Sequence, residues 1–179
     1  MITEYEKEIK ELARGPKNEV FYNSSEQHAV VVFKSLFENA RNYVHTICGD
    51  FCGELSSNPE FIGNVKNFLA GDTQREFHLL FDAYNPKFLN TELGKLLLSN
   101  TNQVKLRKFK GNGYLQFKDK RAHLTVSDNR AYRLETNVVD KMAFGNFNDE
   151  EKTKIFDDVF KLYFYSDFYS EPIIINDAA

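Results

Sequence analysis

The sequence predicts an α/β domain with a mixed, mostly parallel sheet flanked by helices, and three observations lead there. Apolar stripes at helical spacing alternate with short aromatic and β-branched runs from Asn23 to Phe109, no linker interrupts the chain, and no internal repeat divides it. Helix and strand alternating at these lengths call for crossover connections, hence parallel pairing, whereas the texture after Gly111 calls for hairpins.

Each element has a local reason. Ile2, Tyr5, Ile9 and Leu12 recur at three-to-four spacing among acids and lysines, an amphipathic helix that Gly15-Pro16 ends. Asn23-Ser24-Ser25-Glu26 offers N-cap chemistry to a stripe of Ala29, Val30, Val32, Phe33, Leu36, Phe37 and Ala40. Tyr43–Cys48 then reads as a buried strand. Asn58-Pro59 opens the next helix, Glu76–Asp82 is the next strand, and Asn85-Pro86 precedes a third helix carrying Phe88 through Leu98. Val104–Phe109 alternates apolar and basic residues as a half-exposed strand does. Tyr114–Phe117, Ala122–Ser127 and Ala131–Thr136 are short strands, the last two joined by an Asp128-Asn129 turn. Asn148-Asp149 caps a long helix with Ile155, Phe156, Val159, Phe160, Tyr163 and Phe164 on one side, and Pro172–Asn176 is a terminal strand or a segment that pairs with a partner.

Composition excludes several classes. The chain of 179 residues is 42% hydrophobic and 27% charged, ordinary for a globular domain. No apolar run approaches the roughly 20 residues of a membrane span, and the acidic N-terminus is unlike a signal peptide, so a cytoplasmic protein is expected. Two cysteines, Cys48 and Cys52, are too few for a disulfide framework. The net charge of −3 conceals an asymmetry: Lys105, Arg107, Lys108, Lys110, Lys118, Lys120 and Arg121 face one acid, Asp119, within a 17-residue stretch. Interleaved with Phe109, Tyr114 and Phe117, this stretch suits a nucleic-acid partner, or a strand edge kept soluble by lysines.

His123, Thr125 and Ser127 alternate along one strand face with Asp128 following, and a histidine with hydroxyls and an acid can present a nucleophile or base to a cleft; a histidine hydrogen-bonded within a sheet has the same pattern. Arg133 and Glu135 share a face of the next strand, where pairing through the Asp128 turn brings Thr125 near Tyr132 or Arg133. Gly145–Asp149 leads into the last helix with amides suited to an anion or to plain capping. His28, His45 and His78 show no metal-ligand spacing and read as structural. No nucleotide-loop, dinucleotide, zincin or hydrolase signature is present, so no metal and no cofactor is expected.

The order of parts from residue 20 to 168 resembles the phospholipase D-like superfamily in its single-motif form: helix then strand over Glu26–Cys48, further helix–strand pairs to Phe109, the His123 strand, a second strand, a Gly-x-x-Asn-like turn from Gly145 to Asn148, and a closing helix. The resemblance leaves 1–19 as an N-terminal helical extension and 169–179 as a C-terminal tail. Members carry His-x-Lys followed by an Asp; the histidine attacks phosphorus while the lysine and a downstream Asn hold the phosphate. Here His123 takes the nucleophile position, Thr125 that of the lysine and Arg130 that of the acid, with Asp128 two residues early and Asn146 or Asn148 for the Asn. A threonine supplies no positive charge to a phosphoryl oxygen. The resemblance therefore implies a degenerate, non-catalytic or weakly active domain, a homodimer, binding nucleic acid or a protein partner in a bacterial or phage system. The alternatives are a divergent metal-independent phosphodiesterase or nuclease using His123, and a nucleotide or small-ligand domain using Arg133, Glu135 and the Gly145 turn.

Overall fold

A computed structural model describes residues 2–174 and holds nine strands in one sheet. In chain order the elements are α1 (Ile2–Arg14), β1 (Val20–Asn23), α2 (Glu26–Asn39), β2 (Tyr43–Cys48), α3 (Pro59–Gly71), β3 (Glu76–Phe81), α4 (Glu92–Leu98), β4 (Val104–Phe109), β5 (Leu115–Phe117), β6 (Lys120–Ser127), β7 (Ala131–Asn137), β8 (Met142–Asn146), α5 (Glu150–Tyr165) and β9 (Ser170–Pro172). Across the sheet the order is β1-β8-β7-β6-β2-β3-β4-β9, with β5 paired to β6. Of the expected terminal strand, Ile175 and Asn176 lie outside the described residues. Among the described residues no helix is long and apolar enough to cross a membrane.

The helices start where side-chain acceptors are available. Ser25 accepts the His28 N–H at the head of α2, Asn58 that of Phe61 at α3, and Asp149 that of Lys152 at α5. The third predicted helix is split into a 3-10 turn, Pro86–Asn90, and α4. Thr91 makes the break: its hydroxyl donates to the Phe88 carbonyl, 2.7 Å away, and accepts the Gly94 N–H at 3.0 Å, so one segment is closed and the next opened by a single side chain.

The α/β class holds, but the sheet is not mostly parallel. Only β2–β3 and β3–β4 pair in parallel; β1–β8, β8–β7, β7–β6, β6–β2, β5–β6 and β4–β9 are antiparallel. Helical crossovers connect β2, β3 and β4, but the chain then turns through tight hairpins, and β6 slots beside β2 from the opposite direction. Asp128 and Asn129, both with positive φ (55° and 52°), form the β6–β7 turn. The Asp128 carboxylate also accepts the N–H groups of Arg41, Asn42 and Tyr43 at the start of β2.

Two faces result. Val44, Cys48, Phe77, Leu79 and Phe81 point toward α2, α3 and α4, where Phe37 meets Phe61, Phe68 and Phe77 edge to face with centroids 4.9–5.5 Å apart. Ile47, Leu80, Leu124, Val126, Tyr132 and Leu134 point the other way, under Phe160 and Phe164 of α5. α1 lies in the core as well: Ile9, Leu12 and Ala13 are buried with Phe21, Val31, Leu36 and Phe147. Gly145 lets β1 close against this corner, because a Cβ there would stand 2.4 Å from Phe21 Cζ and 2.3 Å from the Tyr132 carbonyl oxygen. Truncating Phe37 to Ala removes three ring contacts from a site that is 2% exposed, so a loss of about 3–5 kcal/mol in urea-unfolding free energy is expected.

Candidate functional site

His123 projects from β6 on the α2 face, where register places it opposite Glu135 of β7, with Thr125 opposite Arg133. On the other side, Thr46 of β2 pairs with Thr125. These positions line a cavity of about 300 Å³ walled by Ala29 and Phe33 of α2 and by Gly49, Phe51 and Leu55 of the loop after β2. Apolar walls over a polar floor are the ordinary make-up of a ligand pocket. Another hollow, of about 400 Å³, lies between α4, β4 and α5; its lining, led by Leu97, Val104, Leu106 and Phe164, is mainly apolar and gathers no comparable polar cluster.

The floor is a row of alternating charges. Asn23 Oδ1 accepts from Arg133 Nε (2.9 Å), Arg133 Nη2 donates to Glu135 Oε1 (3.0 Å), and Glu135 Oε2 lies 2.7 Å from His123 Nδ1. Asp82, at the end of β3, stands 3.4 Å from His123 Nε2, out of line for a hydrogen bond, and its carboxylate accepts from Arg121 Nε at 2.7 Å. Arg133 also sits over the Phe33 ring, 5.4 Å from its centroid. Burial pulls the His123 pKa down, but the carboxylates of Asp82 and Glu135 outweigh it and hold the imidazole above its usual value. Burial likewise pushes Asp82 and Glu135 up, and is overcome by His123 with Arg121 in the first case and His123 with Arg133 in the second, leaving both below the usual carboxylate range.

Thr125 carries no charge and is closed off: it is 2% exposed and accepts the Thr46 hydroxyl at 3.3 Å. Asp128 lies at the far end of β6, occupied with the start of β2. Asn146 is not brought to His123: its register partner is Tyr132, on the face covered by α5, and its amide donates to Asn18. Asn148 is committed to the end of α1 and the chain after it, donating to the Leu12, Gly15 and Lys17 carbonyls. The departure is topological, since strand alternation turns Asn146 to the α5 face and the chain then carries Asn148 to the end of α1.

The basic stretch is dispersed. Arg107 pairs with Asp167, Lys108 with Glu171, Arg121 with Asp82, and Lys110 donates to the Asp167 carbonyl. Lys105, Lys118 and Lys120 have no acidic partner within ion-pair range among the described residues. Two site residues escaped the sequence reading. Asp82 had a signal, an acid at the carboxyl end of a parallel strand; Asn23 had none beyond its polarity, because only the β1–β8 register brings it to Arg133.

No family model matches the chain, and no curated protein matches it. Solved structures do. TrmBL2, described as an archaeal chromatin protein with a novel mode of DNA binding, superposes with a TM-score of 0.60 at 13% identity over 96% of this chain and 62% of its own. A phosphatidylserine synthase from Haemophilus influenzae superposes with a TM-score of 0.50 at 10% identity over 92% of this chain and 44% of its own. The chain thus spans less than two thirds of the length of either, and at these identities the likeness shows the fold, a mixed α/β domain.

The charge row has a pH signature. The raised His123 pKa contributes stability below the ordinary imidazole value and loses it as pH rises through the folded-state pKa; the depressed Asp82 and Glu135 contribute above the ordinary carboxylate values and lose it as pH falls. His123→Gln is therefore expected to cost most, on the order of 3 kcal/mol, at about pH 5–6. The difference in urea midpoint between variant and parent shrinks as pH rises through the folded-state pKa of His123 and as it falls below about pH 4.

Proposed function

We propose that the chain is a non-catalytic phospholipase D-like domain that binds nucleic acid as a homodimer. The observation that carries the non-catalytic reading is the pairing of both arginines beside His123 with carboxylates. The lysine position of the family motif holds Thr125, turned onto Thr46, while Arg121 and Arg133 are each held by a carboxylate. Of the three cations that line the cavity among the described residues, only Lys141 has no acid within ion-pair range, and the raised pKa of His123 favours an imidazolium, which has no lone pair to attack phosphorus.

The β5–β6 hairpin supports the nucleic-acid part. It carries Lys118 and Lys120 without acidic partners and Arg121 at the rim of the cavity, and Tyr114, 45% exposed, precedes it. Cations beside an aromatic ring suit a phosphate backbone with stacked bases. The homodimer rests on the family resemblance and on an apolar strip at the β1–β8 side, where Val20, Tyr22, Val139 and Met142 are exposed. The similarity in fold to a DNA-binding chromatin protein agrees with this reading without specifying it.

One observation favours a second reading. Glu135 holds His123 through Nδ1 and Nε2 makes no hydrogen bond, with Asp82 3.4 Å away; a nucleophilic imidazole is oriented by a carboxylate in the same way. Fluorescence-anisotropy titration of labelled single- and double-stranded DNA and RNA, with molar mass in solution, separates the readings. A dimer whose affinity falls with salt is expected, and Lys118→Ala with Lys120→Ala is expected to reduce the log–log salt slope by about 1–2. Binding unchanged by those substitutions, or none at low salt, counts against the nucleic-acid part and directs attention to protein partners. Cleavage in chelator that is lost in His123→Ala establishes the phosphodiesterase instead.

A further inference from the structure

On the face of the sheet opposite the His123 cavity, His45 of β2 and His78 of β3 are register partners, and Glu76 stands two residues before His78. One ligating atom from each of the three lies within 4.8 Å of the others. We propose that His45, His78 and Glu76 bind a divalent transition metal of the zinc class beneath α5.

Several independent features agree. His45 is 3% exposed, yet its Nε2 has no hydrogen-bond partner, an uncommon state for a buried ring nitrogen. Its other nitrogen, Nδ1, lies 2.7 Å from Asp157 Oδ1. A carboxylate behind one imidazole nitrogen fixes the proton there and turns the lone pair of the other nitrogen outward, the arrangement that orients metal-bound histidines. Lys161 pairs with Asp157 at 2.6 Å from the far side, so the carboxylate is already balanced and Glu76 supplies the site's uncompensated negative charge. Two imidazoles and one carboxylate suit zinc, nickel or copper rather than magnesium or calcium, and three protein ligands leave a fourth position to water.

Binding requires a defined movement. The two rings are stacked, with centroids 5.1 Å apart and planes 9° from parallel, and an imidazole lone pair lies in its ring plane, so one ring must turn before both meet a single ion. His78 is held by hydrogen bonds the less firmly, its Nδ1 making only a 3.4 Å contact with the Tyr165 hydroxyl whereas Asp157 holds His45, and its turning displaces a stacked contact with Phe164, 5.1 Å between centroids. Its Nε2 is 3.7 Å from Glu76 Oε2, and the half-exposed Glu76 carboxylate follows it inward. Ligands about 2.0–2.1 Å from a tetrahedral ion stand roughly 3.4 Å apart, so the closure amounts to little more than 1 Å.

The test is titration of the chelator-stripped full chain with Co²⁺, read by its visible absorption, followed by displacement with Zn²⁺. The expected result is one equivalent of tetrahedral cobalt with no thiolate charge-transfer band, and affinity at least tenfold lower in Glu76→Gln and in His78→Gln. Glu76 is half-exposed, so its variant keeps the fold, which circular dichroism verifies. Absence of cobalt bands overturns the proposal, as do bands unchanged in both variants, or a thiolate band that disappears in Cys52→Ser.

Discussion

Strand β6 is the constraint on which the rest of the structure depends. It lies antiparallel between β2, the first strand of the crossover half, and β7, the first return of the hairpin half, so neither half completes its sheet without it. Because successive side chains alternate, the same eight residues serve both sides of the molecule. Leu124 and Val126 enter the layer under α5 while His123, Thr125 and Ser127 face α2. A slip of one residue would exchange these sets, and burial on both faces forbids it. Asp128 fixes the position further by gripping three backbone N–H groups ahead of β2.

From this follows the character of the site. The strand beside β6 brings Arg133 and Glu135, and the crossover half brings Asp82 at the end of β3, so the row of charges is assembled from both halves of the fold. Buried charges cost several kcal/mol each when unpaired, and the alternation of cation and carboxylate removes most of that cost. Within the row Arg121 and Arg133 each meet a carboxylate, and His123 Nε2 is left without a hydrogen bond.

How much of this was legible in the sequence depended on range. Helix starts with a side-chain signature, Ser25, Asn58 and Asp149, were readable, as was the Asp128-Asn129 turn; that turn narrowed the neighbour of Thr125 to Tyr132 or Arg133, and the register selects Arg133. The direction of the sheet was not, since a strand following three crossovers carries no mark of being inserted in reverse beside the first. The same blindness affected the histidines. His45 and His78 lie 33 positions apart and show no ligand spacing, but adjacent parallel strands bring them into register. The family layout suggested Asn146 and Asn148 as site residues; spacing along a strand decides the face, and the register with Tyr132 puts Asn146 on the other side. The pairing within the basic stretch was hidden for a similar reason, as Asp167 and Glu171, distant in sequence, return beside β4 to meet Arg107 and Lys108.

Asn148 joins two distant parts of the chain. Its side-chain amide donates to three backbone carbonyls between Leu12 and Lys17, and its oxygen accepts from Arg130 at 2.8 Å. That knot fastens the end of α1 to the approach of α5. An amide in this position is also a chemical clock. Hydrolysis to aspartate would exchange two N–H donors for a carboxylate facing carbonyl oxygens, turning attraction into repulsion with no change of shape. Slow ageing of the protein at this residue would therefore loosen the fastening at the end of α1, while Ile9, Leu12 and Ala13 keep the helix in the core.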